Sequence, residues 1–400
     1  MSRPEFVALM AMMFATIAFS IDAMLPALPE IGAELTPLAP EQATLILTAF
    51  ILGMGIGTFI TGPLSDAFGR RSIIFCGCGL YILSAAVAWQ AQSIEVLLIA
   101  RLLQGFGAAG PRVVCAAIVR DLFSGWDMAR ILSFVLLVFT LVPAIAPLLG
   151  MVIIDSIGWR GIFLAFITFS VISVIWMGLR LPETLAVADR RPLRLRLMKE
   201  AVVEMFVHPR VRLSIFVQTL VMAMLFSTLM LVQPIYDQVY DRAESFPYWF
   251  GLIALVSGSA SILNAALVGK YGMRRMVTVT LAGQSLLSLV LLVFDLTSLN
   301  DPYGFYVFAF WQTCLFFQAG LTIGNLNALA MEPMGHIAGL AASVIGAFAT
   351  VFAALIASPV GLMFAGGTSL LVVAILVLAG TGFALMLWMG RQEALEAVEG

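Results

Sequence analysis

Charge is what this sequence has least of. Asp, Glu, Lys and Arg together make up 11% of the 400 residues against 62% hydrophobic ones, and the mean hydropathy is +1.05. A soluble domain of that composition would lack the polar groups to cover its surface, so a water-soluble fold is excluded. Histidine occurs twice, as His208 and His336, and cysteine four times, as Cys76, Cys78, Cys115 and Cys314. All four cysteines fall inside apolar runs, which argues against a disulfide framework. Cys76 and Cys78, two apart on a helix, point in different directions, so no metal site is expected. Both histidines fall at span ends, which argues against a proton relay through them. Also missing is the alternation of apolar and polar residues over about ten positions that a β-barrel requires. No loop holds a Gly-rich phosphate cradle, a nucleophile elbow or a metal-ligand cluster, and none is long enough for an ATPase domain. Neither an enzyme nor a cofactor is expected, and active transport would have to draw on a gradient.

What is present is a series of uncharged runs. Residues 42–65, 72–94, 131–154, 161–179, 213–236, 245–269, 276–294 and 302–331 contain no Asp, Glu, Lys or Arg. Each reaches the ~18–20 residues that cross about 30 Å of hydrocarbon as a helix. Residues 333–390 are one uncharged run of 58. A single helix of that length would measure about 87 Å, so the run must hold two spans, turning near Pro359 to Gly367. Two further spans carry internal charge: residues 6–29 hold Asp22, and residues 94–120 hold Arg101 and Arg112. The first span is too long for a cleaved signal peptide. The reading is an all-α polytopic membrane protein with twelve transmembrane helices.

Basic residues orient these spans. Arg3, Arg70, Arg71, Arg120, Arg130, Arg180, Arg190, Arg191, Arg194, Arg196, Lys199, Arg210, Arg212, Lys270, Arg274, Arg275 and Arg391 fall on one side, and only Arg160 and Arg242 on the other. The positive-inside rule then makes both termini cytoplasmic. The longest polar stretch, 181–212, is basic and separates six spans from six. It reads as a cytoplasmic linker between an N-terminal bundle, 1–180, and a C-terminal bundle, 213–400. FGRR at Phe68 to Arg71, after span 2, is echoed by YGMRR at Tyr271 to Arg275, after span 8, as a six-plus-six duplication would place it.

Only Asp22, Arg101 and Arg112 lie well inside spans, and a charge at that depth is a functional candidate by its cost. At 1.5 Å per residue, Asp22 and Arg101 sit about 7 and 9 Å to the outer side of the midplane and Arg112 about 8 Å to the inner side. Arg101, Gln104, Ala108 and Arg112 share one helix face, which should line a wet cavity. The Asp22 face of span 1 carries Ala11, Ala15, Ala18 and Pro26, small enough for a close neighbour. An ion pair between Asp22 and Arg101 is inferred, with Asp22 as the proton carrier and Arg101 its switch; a static pair that only fixes packing is the alternative. Arg112 would suit an anionic group of a solute, or else snorkel to the surface.

The second half has no such charges. Span 10 shows Trp311, Gln318, Thr322 and Asn325 on one face, and span 7 adds Gln218, Met222, Phe226 and Gln233. Stripes of this kind also arise from plain helix packing, yet an amide facing lipid would go unsatisfied. A cavity with apolar, aromatic and amide walls suits a bulky amphipathic solute. Span 5 contains Pro143 and Pro147, which remove two backbone donors and make it a candidate hinge or gate.

One short connection stands apart. GPLSDAFGRR, Gly62 to Arg71, joins spans 2 and 3; Gly62 and Gly69 would permit the turn and Arg70 and Arg71 satisfy the charge bias, but Asp66 is not explained by it. This stretch resembles the signature after span 2 of the major facilitator superfamily, and IARLLQGFGAAG at Ile99 to Gly110 resembles its Arg-bearing signature in span 4. More narrowly, SIDAMLPALPEI, IVRDLF, VPAIAPLLG and EPMGHIAGLAAS resemble the drug:proton antiporters of the bicyclomycin-resistance (Bcr/CflA) type.

The resemblance implies a major facilitator fold, two six-helix bundles around a central cavity, alternating access, and extrusion of hydrophobic drug-like compounds in exchange for protons across the inner (plasma) membrane. It implies a monomer in the lipid bilayer whose partners are protons and a small-molecule substrate, with no nucleic acid. Arg101 would couple protons. Asp66, Gly69 and Arg70 would gate, with Asp66 at the start of span 11 and Arg70 paired to Asp121. Pro143, Pro147 and Gly150 would form the antiporter signature. Ala67 stands where the first signature usually has a basic residue, and Met151 where the span 5 motif usually has a second Gly. A transporter of a metabolite such as an amino acid, peptide or organic anion is the alternative.

Overall fold

The structure is a computed structural model that describes residues 1–190, 192–193, 195–297 and 303–399. Arg191 and Arg194, counted above among the basic residues of the linker, lie outside them. Among the described residues the chain is helical throughout and no strand occurs. The α-helices are α1 (Arg3–Asp22), α2 (Leu28–Leu35), α3 (Leu45–Phe68), α4 (Arg70–Trp89), α5 (Ile94–Leu122), α6 (Gly125–Ile157), α7 (Gly161–Arg180), α8 (Leu195–Val207), α9 (Pro209–Pro234), α10 (Phe246–Gly258), α11 (Ala260–Tyr271), α12 (Met273–Thr297), α13 (Gly304–Met331), α14 (Ala338–Leu362) and α15 (Ser369–Glu399).

Eleven apolar helical stretches among the described residues are long enough to cross a membrane. The longest, Gly304–Leu362, runs for 59 residues, and the turn Glu332–Ile337 breaks it where Met334 leaves helical dihedrals. Its parts α13 and α14, of 28 and 25 residues, each suffice for a crossing, which brings the number to twelve. Helix α14 runs through Pro359 to Leu362, and α15 starts at Ser369, so the last turn falls where the sequence placed it. Span 8 is two pieces, α10 and α11, that meet at Ser259.

The chain forms two compact units, Met1–Arg196 and Leu197–Gly400, whose boundary lies inside α8. In the first unit, α3 and α5 pack backbone to backbone. A Cβ on Gly53 would run into the Leu102 carbonyl, and one on Gly105 into the Phe50 carbonyl. Small residues at such crossings let transmembrane helices gain dispersion contacts that apolar burial cannot supply in lipid.

The second unit has different materials. Helix α9 continues through a π-helical turn, Ile235–Val239, into an aromatic cluster. Tyr236 packs edge-on to Phe246 and Phe305 at 5.4 and 5.2 Å, Trp249 meets Phe305 at 5.1 Å, and the Arg242 guanidinium lies 4.4 Å over the Phe305 ring.

Candidate functional site

Arg101 sits at the middle of the first unit, fully buried, on α5. Its Nη1 donates to Gln104 Oε1 at 2.7 Å, its Nη2 to the Ser20 carbonyl at 2.9 Å and its Nε to the Ile46 carbonyl at 3.5 Å. The guanidinium lies 4.4 Å over the Phe50 ring and 5.9 Å from that of Phe166. One cation thus ties α1, α3, α5 and α7 through neutral acceptors and π faces, a solution open to the weakly hydrated, five-donor guanidinium and closed to lysine.

The expected ion pair between Asp22 and Arg101 is not there. Asp22 is 5% exposed, and among the described residues no ion pair reaches it. The reason is local: Asp22 is the last residue of α1, and Arg101 takes the backbone carbonyl of Ser20, two residues earlier. The two side chains do not meet. Gln104, expected as a cavity residue, is instead spent on Arg101, leaving its Nε2 unpartnered.

Two contacts fix the surroundings of Asp22. Ser20 donates its hydroxyl to the Thr16 carbonyl at 2.6 Å, so the Tyr81 hydroxyl, 2.6 Å from Ser20 Oγ, must be the donor in that bond and links α4 to α1. On α6, Gly150 lies against the Ala23 backbone so closely that a Cβ would collide with the Ala23 carbonyl. The motif that holds Pro143, Pro147 and Gly150 therefore backs directly onto the residue after Asp22.

Arg112 lies on the same helix face, partly buried, with its Nη1 3.8 Å from the Met54 thioether. Among the described residues no carboxylate pairs with it.

At the ends of α3, α4 and α5 a second charged cluster forms. Arg70 Nε donates to Asp121 Oδ2 at 2.9 Å, and Nη1 donates to Ser65 Oγ at 2.7 Å and to Asp66 Oδ1. The Arg70–Asp121 pair suggested by the sequence is present. Sequence reasoning missed Glu183, just past α7. Its carboxylate accepts from the backbone N–H groups of Arg70 at 3.0 Å and Arg71 at 3.1 Å, satisfying two orphan donors at the start of α4. The signal was faint, since a carboxylate 113 residues away carries no local pattern. Gly69 has φ +96°, and a Cβ there would stand 2.7 Å from Glu183 Oε2, so glycine is required twice over. Gly62 is a correction: it lies inside α3 without positive φ, and the turn rests on Gly69 alone.

In the second unit the expected cavity residues are largely used within the bundle. Trp311 Nε1 donates to Ser288 on α12 at 3.0 Å, and Asn325 Nδ2 donates to Asn264 Oδ1 on α11 at 2.7 Å. The face of α13 is continuous, as its spacing indicated, but it meets α11 and α12. Met222 lies 3.9 Å from Thr350 of α14 through its sulfur, and Phe226 is buried. Gln218, Gln233 and Gln318 are buried with an unpartnered Oε1, and Gln312 accepts from the Tyr236 hydroxyl at 3.0 Å with an unpartnered Nε2.

Comparison with known proteins decides the family. The model of the Major Facilitator Superfamily matches residues 8–358. The chain belongs to that superfamily. This facilitator is 31% identical to a bicyclomycin resistance protein homolog of Haemophilus influenzae, over 86% of both chains. It is 27% identical to the multidrug resistance protein MdtL of Shewanella oneidensis, over 92% of this chain and 91% of the relative. Among solved structures, a D-xylose-proton symporter shares the fold with a TM-score of 0.75 at 14% identity, covering 96% of this chain and 97% of that one. The human organic anion transporter MFSD10 does so with a TM-score of 0.67 at 17% identity, covering 96% and 100%. This facilitator is a multi-pass membrane transporter of small molecules, not an enzyme.

Proposed function

We propose that the chain exports hydrophobic or amphipathic drug-like compounds in exchange for protons, by alternating access across the inner membrane with both termini cytoplasmic. The drug-resistance names of the two relatives above support the substrate class, and the bias of seventeen basic residues against two supports the orientation.

The observation that carries the proton is Asp22. Protonation of a carboxyl follows its solvation, and a carboxyl with no cation bound to it is free to bind and release a proton as its surroundings alternate between dry and wet. Arg101 acts as a positioning residue: by holding the Ser20 carbonyl it fixes where α1 ends, and hence where Asp22 stands. Arg112, Gln218, Met222 and Phe226 would meet the solute, Arg112 through any electronegative group. The cluster of Asp66, Gly69, Arg70 and Asp121, buttressed by Glu183, would gate, as would the proline-bearing α6 that rests on Ala23.

The test is drug-induced proton flux in proteoliposomes. Asp22→Asn should lower it at least 100-fold while the protein remains monodisperse in detergent; unchanged flux would refute the proposal.

A further inference from the structure

Arg112 is a second cation inside the first unit, and it is held quite differently from Arg101. Arg101 is fixed by three acceptors and two rings. Arg112, further along α5, makes one contact, its Nη1 3.8 Å from the Met54 sulfur. Among the described residues no carboxylate, oxygen acceptor or aromatic ring meets its guanidinium. Its Nε and Nη2 have no partner, yet neither is sealed in as the Gln104 Nε2 is. A guanidinium keeps its charge in a protein, so a positive charge and two donors stand open here.

The open side is not the one that meets hydrocarbon. Val96, Ile99 and Leu103 are 43%, 60% and 43% exposed and form the outward apolar stripe of α5. At about 100° per residue, Leu103 and Arg112 stand roughly 180° apart around the helix axis. Nor does the side chain run to the nearer end of its helix. A Cβ on Gly105 would stand 3.0 Å from the Met54 backbone nitrogen, so Met54 is level with a residue two turns, about 10 Å, before Arg112. To reach the Met54 sulfur the guanidinium leans back toward the middle of α5, the direction in which helical side chains point. It therefore does not snorkel past the Leu122 end, the alternative that the sequence left open.

The free edge is the one suited to an acid. Nε and Nη2 form the side of the fork that takes a carboxylate through two parallel bonds, and Arg70 uses it on Asp121 and Arg180 on Glu5 in this same unit. In Arg112 that edge is empty of protein. Beside it the walls are apolar or already bonded: Met54 is buried, and Thr58, one turn along α3, gives its hydroxyl to the Met54 carbonyl at 2.8 Å. A bare cation at this depth is costly, and an anion that meets it removes the cost.

We propose that the transporter prefers amphipathic anions, whose carboxylate or sulfonate head is gripped by Nε and Nη2 of Arg112 while the carbon skeleton lies against apolar walls. This deepens the efflux reading and rests on it for the transport step; the binding stands without it. Export of such an anion moves one more negative charge outward per turnover than export of a neutral compound, at any proton stoichiometry. A membrane potential negative on the cytoplasmic side therefore favours the anion.

The experiment measures scintillation-proximity binding of tritiated 4-hexylbenzenesulfonate to the full chain in detergent, beside the neutral 4-hexylbenzenesulfonamide, which shares its ring and tail. The sulfonate should bind about tenfold tighter, and Arg112→Gln should bring it down to the affinity of the sulfonamide. Arg112→Lys, which keeps the charge and loses the fork, should retain a preference of only about threefold. Equal affinities on the parent, or a preference that survives Arg112→Gln or is undiminished in Arg112→Lys, would overturn the proposal. Should Arg112→Gln aggregate, the ratio on the parent and the Arg112→Lys result still decide. Displacement of the sulfonate by short-chain phosphatidylglycerol but not by 4-hexylbenzoate would assign the cation to a lipid headgroup instead. In proteoliposomes, an imposed potential negative on the cytoplasmic side should speed sulfonate export more than sulfonamide export, and equal responses would count against an anionic cargo. Sulfonate that binds with the expected preference but is not moved by a proton gradient would sink the efflux reading and spare the site.

Discussion

The two units solve one problem, joining six long helices without much help from apolar burial, with different materials. The first joins them by close backbone crossings and by one buried guanidinium that reaches four helices. The second joins them by an aromatic cluster and by paired amides and hydroxyls, and it leaves several amide atoms unpartnered. The contrast suggests a division of labour in which the first unit is built around fixed polar contacts, while the second keeps adaptable polar groups in apolar surroundings. Met and aromatic side chains with spare amides can meet solutes of different shape, whereas a guanidinium held by three acceptors and two rings cannot.

The largest break in that contrast should come from Arg101→Ala. It orphans Gln104 Oε1 and the Ser20 carbonyl in a buried site and removes a large side chain between two rings. Two unsatisfied acceptors and a cavity together predict a loss of about 3–6 kcal/mol. Arg101→Lys should recover less than half of it, since an ammonium cannot span the same acceptors. In the second unit, Gln312→Leu orphans only the Tyr236 hydroxyl and should cost about 1–2 kcal/mol. Unfolding in mixed detergent micelles measures both, and equal losses would erase the distinction between the units.

The same contrast explains what the sequence disclosed. The number of helices was legible because charges punctuate apolar runs, and Arg70–Asp121 was legible because both stand at the ends of neighbouring spans. The partner of Asp22 was not. Spacing along a helix gives depth and face, yet the sequence does not say which neighbour that face meets, and Arg101 chose a backbone carbonyl that every residue possesses. Trp311, Gln318 and Asn325 were correctly placed on one face of α13, but that face turns to α11 and α12. The Glu183 contact joins segments more than a hundred residues apart and has no signature at all.

A smaller effect should separate glycines that look alike in sequence. Gly53→Ala or Gly105→Ala puts a methyl group into a facing carbonyl, and neither backbone can retreat without parting α3 from α5. Overpacking of this kind should cost about 2–3 kcal/mol, with lower yield of folded protein. Gly283→Ala and Gly380→Ala meet nothing within 4 Å and should be neutral or stabilising by up to about 1 kcal/mol, the helix-propensity gain of alanine. A large loss at Gly283 would mean that a further element covers that face of α12.

The smallest effect concerns a feature both units share with opposite sign. In the first, Glu5 of α1 accepts from Arg180 of α7 at 2.6 and 2.8 Å; in the second, Arg210 of α9 lies 3.5 Å from Glu393 of α15, which also pairs with Arg274 at 3.1 Å. The first and last long helices of each unit are thus tied near one end by a carboxylate and a guanidinium whose places are exchanged. Because these groups are near the surface and screened by solvent, Glu5→Gln should lower stability only slightly, and Glu393→Gln no more than that, because Arg210 keeps Glu332 at 2.7 Å. Both losses should shrink in high salt. Exchanging the pair, Glu5→Arg with Arg180→Glu, would give the first unit the polarity of the second and should restore most of what Glu5→Arg alone removes. Failure of that rescue would show that Glu5 matters less for its charge than for its second partner, Trp176, whose Nε1 lies 3.3 Å from Oε1 and which an arginine at position 5 would leave without an acceptor.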